Sequence, residues 1–391
     1  MGRILVARGV APVLILALAI GVAAGISGCS GRTDDGRPTV KIGVHTTLTG
    51  GLASSGSAMV GALELAAEDL SGFEIDGVSY EIELVILDDQ GDPSQAPVVA
   101  ANLVDAGVVG VIGPLTSGST NAALPIYEPA GIPVISGSAT MADITEAGFE
   151  NFFRTCLRDD LQGKALAEWA VELGFGKVVV MDDQSDYAVG LGNEVQTGLE
   201  ASNVEVFRLR TQEGDVDFSA QTEEIRSFEP DAVIYTGYHR EAGLLRKQLV
   251  EAGLGGIRFM GGDGIRSDEI ADDAGGSANA RDLLCTFGGF SSLQMPGYAD
   301  FAVRFHEATG VDAGPYAENN YDALGALVQA MVAAQSTEGA DVIAALFDVE
   351  HDGVMGVLRF DDKGDLTTPD DAGTGLIPRF RFDGETWVLL Q

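Results

Sequence analysis

Positive charge is scarce in this chain of 391 residues. Lys and Arg number 23 against 59 Asp and Glu, a formal net charge of -36. Five lysines occur: Lys41, Lys164, Lys177, Lys247 and Lys363. A field of that sign repels phosphate backbones and anionic lipid, so nucleic acid and an anionic membrane surface are excluded as partners. Cysteine is nearly absent, with three, and no C-x-x-C occurs. The four histidines (His45, His239, His306, His351) do not fall at metal-ligand spacing. No G-x-x-x-x-G-K-[ST] loop and no G-x-S-x-G elbow is present, and His306-Glu307 lacks the second histidine of H-E-x-x-H. Asp88-Asp89 and Asp361-Asp362-Lys363-Gly364-Asp365 lack the closing glutamate of a calcium loop and read as turns. No catalytic residue, cofactor or metal is therefore expected.

Long apolar runs are missing too, except at the start. Arg3 and Arg8 precede an uncharged apolar stretch from Val10 to Ala24, which is short for a membrane span. It leads into Ile26-Ser27-Gly28-Cys29, which resembles a bacterial lipobox. Residues 1–28 are thus expected to be a lipoprotein signal peptide and Cys29 to be lipidated. Residues 29–38 form a polar, flexible tether. The expected location is extracytoplasmic, lipid-anchored to the bacterial cell membrane.

What the chain does have is a doubled local design between Ile112 and Thr140. A short apolar strand, Val108 to Ile112, enters the loop Thr116-Ser117-Gly118-Ser119-Thr120; another, Pro133 to Ile135, enters Ser136-Gly137-Ser138-Ala139-Thr140. A helical stretch follows each. Small residues leave backbone N–H groups reachable, and hydroxyls add donors beside helix N-termini, which suits a small anion such as a carboxylate.

Strands and helices alternate on both sides of this stretch. Val40 to His45 and Tyr80 to Leu87 read as strands, with a Gly/Ser loop from Leu48 to Gly56 and a helix from Ala58 to Leu70. Later strands are Phe152 to Thr155, Lys177 to Met181, Val204 to Leu209, Ala232 to Tyr235, Arg258 to Met260 and Leu283 to Thr286. Helices at Tyr298 to Thr309, Tyr321 to Gln335 and Ala340 to Phe347 precede closing strands. The pattern predicts an α/β fold of two doubly wound, Rossmann-like lobes that exchange chain more than once. Residues 39–156 and 287–369 make the first lobe; 157–286 and 370–391 make the second. A cleft between such lobes suits a small molecule. Strand ends of the second lobe add Tyr187, Tyr238 and an acid flanked by glycines, Asp263 in Gly261-Gly262-Asp263-Gly264. Such an acid is available to accept from a ligand ammonium. Cys156 and Cys285 fall on expected strands near the interlobe crossings, where a bridge between them is a hypothesis.

Taken in order, VKIGV, DDQGDP, IGPLTSGST, YEPAGIPVIS, FFRT, DDQSDYAVGL, VDFSAQ, TGYHRE, FMGGDG and FDDKGDL resemble one family. It is the branched-chain amino acid (leucine/isoleucine/valine) substrate-binding proteins of ABC importers, of the periplasmic-binding-protein type I fold. The resemblance spans about Val40 to Asp383. It implies a Venus-flytrap fold with a multi-strand hinge. It implies that Ser117 and Thr140 hold a ligand carboxylate, with main chain at Ser138 and Ala139. It implies that Ser138 and Asp263 hold the ammonium, under cover of Tyr187, Tyr238 and Tyr316. Ser55 stands where the family often has an aromatic, Asp263 where glutamate is common, and Ser138 where alanine is usual. Gly91 and Thr116 replace a cysteine pair of some members. These departures admit a polar or smaller amino acid, or an amide, beside leucine. The implied function is to bind a small amino acid and deliver it, as a monomer, to an ABC permease. The alternative is a same-fold receptor for an amide, urea-like or aromatic acid ligand in uptake or signalling. A hydrolase on this scaffold lacks a nucleophile–base pair.

Overall fold

The computed structural model describes residues 36–368 and 373–390. The signal peptide, Cys29 and most of the tether lie outside the described residues. Among the described residues, no helix is long and apolar enough to cross a membrane.

The first unit opens with β1 (Thr39–Thr46), α1 (Ala53–Leu70), β2 (Phe73–Ile75) and β3 (Val78–Asp88). It continues with α2 (Ala96–Asp105), β4 (Gly110–Ile112), α3 (Ser117–Tyr127), β5 (Val134–Ser136), α4 (Asp143–Glu146) and β6 (Phe152–Arg154). The six strands form one sheet in the order β2-β3-β1-β4-β5-β6. All pairs are parallel except β2–β3. Helices cover both faces, so the central strands are apolar on both sides: Ile42, Val44, Ile112 and Ile135 are fully buried. In α1, Met59, Ala62, Leu63 and Ala66 recur at helical spacing and are buried.

The second unit repeats the plan. It contains α5 (Asp159–Glu172), β7 (Lys177–Asp182), α6 (Asp186–Ala201), β8 (Glu205–Arg210), α7 (Ser219–Phe228), β9 (Ala232–Tyr235) and α8 (His239–Glu251). Then come β10 (Arg258–Gly261), a 3₁₀ turn (Asp263–Ile265), α9 (Ile270–Asp273), α10 (Ser277–Ala280) and β11 (Leu284–Thr286). The chain next returns to the first sheet as α11 (Tyr298–Thr309), α12 (Ala317–Ala334) and α13 (Gly339–Phe347), followed by the hairpin β12 (His351–Gly353) and β13 (Gly356–Leu358). It finishes on the second sheet with β14 (Arg379–Phe382) and β15 (Trp387–Leu390), giving β15-β14-β11-β10-β9-β7-β8.

The five parallel strands of each unit have the same winding: β3-β1-β4-β5-β6 in one, β8-β7-β9-β10-β11 in the other. In each, the first strand lies inside the order and the chain reverses direction beside it. Loops after β1 and β4, and after β7 and β9, therefore diverge and leave a crevice at the strand ends. The crevices face each other. Asn121 on α3 donates to Asp186 on α6 at 3.2 Å across the gap.

Three expectations change. Helix α1 begins at Ala53, not Ala58. The glycine in Ser55-Gly56 marks a close approach here, not a loop: a Cβ on Gly56 would strike the Thr47 carbonyl. Helix α12 begins at Ala317, not Tyr321. Asn319 and Asn320 in its first turn are buried and employed: Thr155 donates to the Asn319 carbonyl at 2.9 Å, and Asn320 donates to the Tyr316 carbonyl at 2.8 Å. Finally, Cys156 and Cys285 form no bridge; both are free, buried thiols. Register fixes Cys285 between Gly261 and Phe380 in the second sheet, while Cys156 leaves the end of β6 in the first. Each packs as a small apolar side chain, and burial pushes both thiols far above their ordinary pKa.

Candidate ligand-binding site

One pocket lies where the two crevices meet. From the first unit it is lined by Leu52 and Ser55, Leu115 to Ser117, and Ser138. From the second it takes Tyr187, Tyr238, Asp263 and Arg266, among others. Pro315 and Tyr316, just before α12, complete it. Seven of the nine expected residues thus line one pocket: Ser55, Ser117, Ser138, Tyr187, Tyr238, Asp263 and Tyr316. Ala139 and Thr140 are fully buried behind it.

The first-unit side is a set of donors. Thr116 caps α3, its hydroxyl accepting from Ser119 N–H at 3.2 Å. The first N–H groups of a helix have no partner within it, so Ser117 and Gly118 N–H are free for a ligand. The Ser117 hydroxyl accepts from Met141 N–H at 3.2 Å and keeps its own proton to give. Ser138 is different: its hydroxyl donates to the Leu115 carbonyl at 2.7 Å and ties the two small-residue loops together. The Ala139 N–H is taken by the Ser136 hydroxyl at 3.0 Å. Thr140 lies beside the buried Asp159 carboxyl, and its hydroxyl acts against the rise that burial gives that group's pKa.

Behind these loops is a cation that composition and spacing had not singled out. Arg154 at the end of β6 is fully buried. It donates to the carbonyls of Ala139 (2.9 Å) and Met141 (2.8 Å) and to the Thr145 hydroxyl (2.7 Å). Its Nε pairs with Asp365 at 2.6 Å. The second loop is therefore held from beneath. The hints in the sequence are the FFRT and FDDKGDL blocks, which lie too far apart on the chain for local pattern reading to join them.

The second-unit side is built around an acid. Asp263 accepts from the Tyr187 hydroxyl at 3.0 Å and from the Tyr316 hydroxyl at 2.9 Å. Burial raises its pKa, while bonds from Tyr316, Gln162 and Tyr187 act in the opposite direction. Among the described residues no basic side chain pairs with it. Tyr187 in turn accepts from Gly264 N–H at 3.0 Å and stacks on Tyr238, with ring centroids 5.4 Å apart. A Cβ on Gly262 or Gly264 would strike the Tyr187 ring or hydroxyl, which explains the glycines around the acid. Asp159 is a second buried carboxyl nearby; its pKa is pushed well up by burial and then by the charge of Asp263.

A small pocket with open helix N–H groups on one wall and an unpaired carboxylate on the other suits a dipolar solute. Residues 39–369 match the model of a periplasmic binding protein family. The chain belongs to the periplasmic binding protein family. An amino acid binding protein of Pseudomonas aeruginosa is 35% identical over 91% of this chain and 93% of its own length. A leucine-, isoleucine-, valine-, threonine-, and alanine-binding protein of the same organism is 31% identical, covering 84% and 87%. Among solved structures, a leucine binding protein from Thermotoga maritima superposes with a TM-score of 0.81 at 28% identity, covering 90% of this chain and 98% of that one. A branched-chain amino acid transporter substrate binding protein from Streptococcus pneumoniae, in complex with isoleucine, gives 0.79 at 26%, covering 90% and 100%. The fold is that of a type I periplasmic binding protein.

Proposed function

We propose that the protein binds a small α-amino acid in the crevice and delivers it to an ABC permease. The observation that carries this is Asp263: a carboxylate in the pocket, fixed by two tyrosine hydroxyls and, among the described residues, paired with no basic side chain. A ligand ammonium supplies that cation in a charge-assisted pair. The ligand carboxylate takes the Ser117 and Gly118 N–H groups at the α3 N-terminus and the Ser117 hydroxyl. The Thr140 hydroxyl, buried behind Ser117, serves the same carboxylate. Tyr187, Tyr238 and Tyr316 cover the ligand.

Residues 39–156 with 287–369, and 157–286 with 370–391, act as two lobes. A zwitterion completes its contacts only when both are closed on it, so ligand shifts the population toward closure. The protein works as a monomer, without cofactor, tethered outside the cytoplasmic membrane by lipid on Cys29. The Ile26-Ser27-Gly28-Cys29 sequence supports the tether.

Ligand that binds only the folded state raises the melting temperature. A panel of the common amino acids is expected to contain members that raise it in a saturable way. A panel that shifts nothing overturns the proposal. Labelling with radioactive palmitate in the producing cell, with Cys29→Ala as control, tests the anchor.

A further inference from the structure

The pocket has a second charge that the reading above leaves unused. Arg266 closes the 3₁₀ turn that begins with Asp263, its N–H donating to the Asp263 carbonyl at 2.8 Å. Its side chain is part of the pocket wall, beside Ser267 and Pro315. The guanidinium carbon sits 4.5 Å from the Phe287 ring centroid and 4.3 Å from that of Phe380. Packing on two rings fixes the plane of the group and leaves its N–H edge for an acceptor. Among the described residues, none accepts a hydrogen bond from this side chain, and its Nε is buried without a partner. Its field reaches Glu318 on α12 and Asp268 beyond the turn, yet neither comes within ion-pair distance.

A buried donor without an acceptor is unfavourable and calls for a partner from outside the protein. The remaining walls are mixed. Ser55 and Ser267 stand beside Leu52, Leu115 and Pro315, so polar groups are present beside apolar ones. Net charge bears on this too. An acidic amino acid approaches a protein of -36 as an anion, and only a local cation makes its binding favourable.

We infer that Arg266 receives a carboxylate on the ligand's side chain: the pocket selects an acidic α-amino acid, with the amide as a weaker analogue, over a branched aliphatic one. This rests on the reading that Asp263 holds the ammonium. Opposite charges three residues apart then grip opposite ends of one ligand.

Calorimetry on the full-length protein with L-glutamate, L-aspartate, L-glutamine and L-leucine tests the inference, using wild type, Arg266→Met and Arg266→Lys. Wild type is expected to bind one of the two acids roughly 10-fold or more tighter than leucine. Arg266→Met is expected to lose roughly 10- to 100-fold for the acid while leucine is little changed. Arg266→Lys retains part of the preference. Tighter binding of leucine than of either acid to wild type overturns the inference, as does an equal loss for all ligands in Arg266→Met. Leucine binding without acid binding refutes this inference and leaves the reading beneath it standing. Failure of every amino acid to bind wild type refutes that reading. If Arg266→Met does not fold, as judged by circular dichroism, the wild-type preference and Arg266→Lys decide.

Discussion

The Tyr316 hydroxyl donates to the Asp263 carboxylate at 2.9 Å. Tyr316 precedes the helix that packs on the first sheet, and Asp263 follows a strand of the second. The bond therefore joins the two units at the place where ligand charge is to be neutralised. It also helps keep Asp263 ionised against the effect of burial.

That balance has a pH consequence. Burial raises the Asp263 pKa above its ordinary value, and only the ionised form attracts an ammonium. Affinity for an amino acid is expected to fall as pH drops through that raised pKa. Tyr316→Phe and Tyr187→Phe each remove a donor, so each should move the midpoint to higher pH and weaken binding roughly 10-fold near neutrality. Titration calorimetry between pH 4 and 8, on the order of one point per half unit around the carboxyl range, measures both. An unchanged midpoint in both variants contradicts this role for the hydroxyls.

Glu318 gives a stability prediction of the opposite kind. It is buried at the start of α12, and burial pushes its pKa from the ordinary 4.5 to about 7. The folded state thus holds a proton that the unfolded state releases. Its stabilising effect is complete below the unfolded pKa and is lost as pH rises through about 7. Asp322, pushed up to about 6, acts in the same direction over a lower range. Glu318→Gln removes the penalty and should raise stability above pH 7 by on the order of 1–3 kcal/mol relative to wild type. General charge repulsion also destabilises this protein as pH rises, so the difference between the two melting curves is what counts. Parallel curves for the two proteins contradict the assignment.

Arg154 should matter for both stability and binding. Its pair with Asp365 is buried, and removing Arg154 leaves that carboxylate to Arg158 and takes from the Ala139 and Met141 carbonyls a buried donor. Arg154→Met is expected to cost roughly 3–5 kcal/mol in urea unfolding. Because Arg154 also holds the Ala139 and Met141 carbonyls, Asp365→Asn, which keeps hydrogen-bonding capacity, should be milder in stability yet still loosen ligand binding. Wild-type affinity in both variants rules out the loop-supporting role.

The two cysteines offer a direct chemical check. Alkylation under non-reducing conditions should modify neither Cys156 nor Cys285 in the native protein, since both are buried with raised pKa. Both should react once the chain is unfolded. A peptide carrying the two joined through sulfur contradicts the structure.

Much of this was legible in the sequence because strand periodicity and turn residues act locally. The alternation of strands and helices gave both sheets, and the small-residue loops and the glycine-flanked Asp263 pointed to opposite walls of one pocket. What was not legible depends on contacts between distant segments. Ser138, standing where alanine is usual, reads as an added polar contact for a ligand, but its hydroxyl donates to the Leu115 carbonyl. Ala139 and Thr140 belong to the right loop but lie buried behind the lining, where Ser136 takes the Ala139 N–H and Arg154 its carbonyl. Arg266 follows a recognised motif by two residues. Its significance comes from Phe287 and Phe380, which only the fold brings under it.

The central claim is that Asp263 is the ammonium acceptor of an amino acid site. The most direct measurement compares an amino acid with its deaminated counterpart: leucine with 4-methylpentanoate, and glutamate with glutarate, on wild type and Asp263→Asn. Wild type should prefer the amino acid by roughly 100-fold or more, and Asp263→Asn should erase most of that preference. The same preference in both proteins would contradict the account.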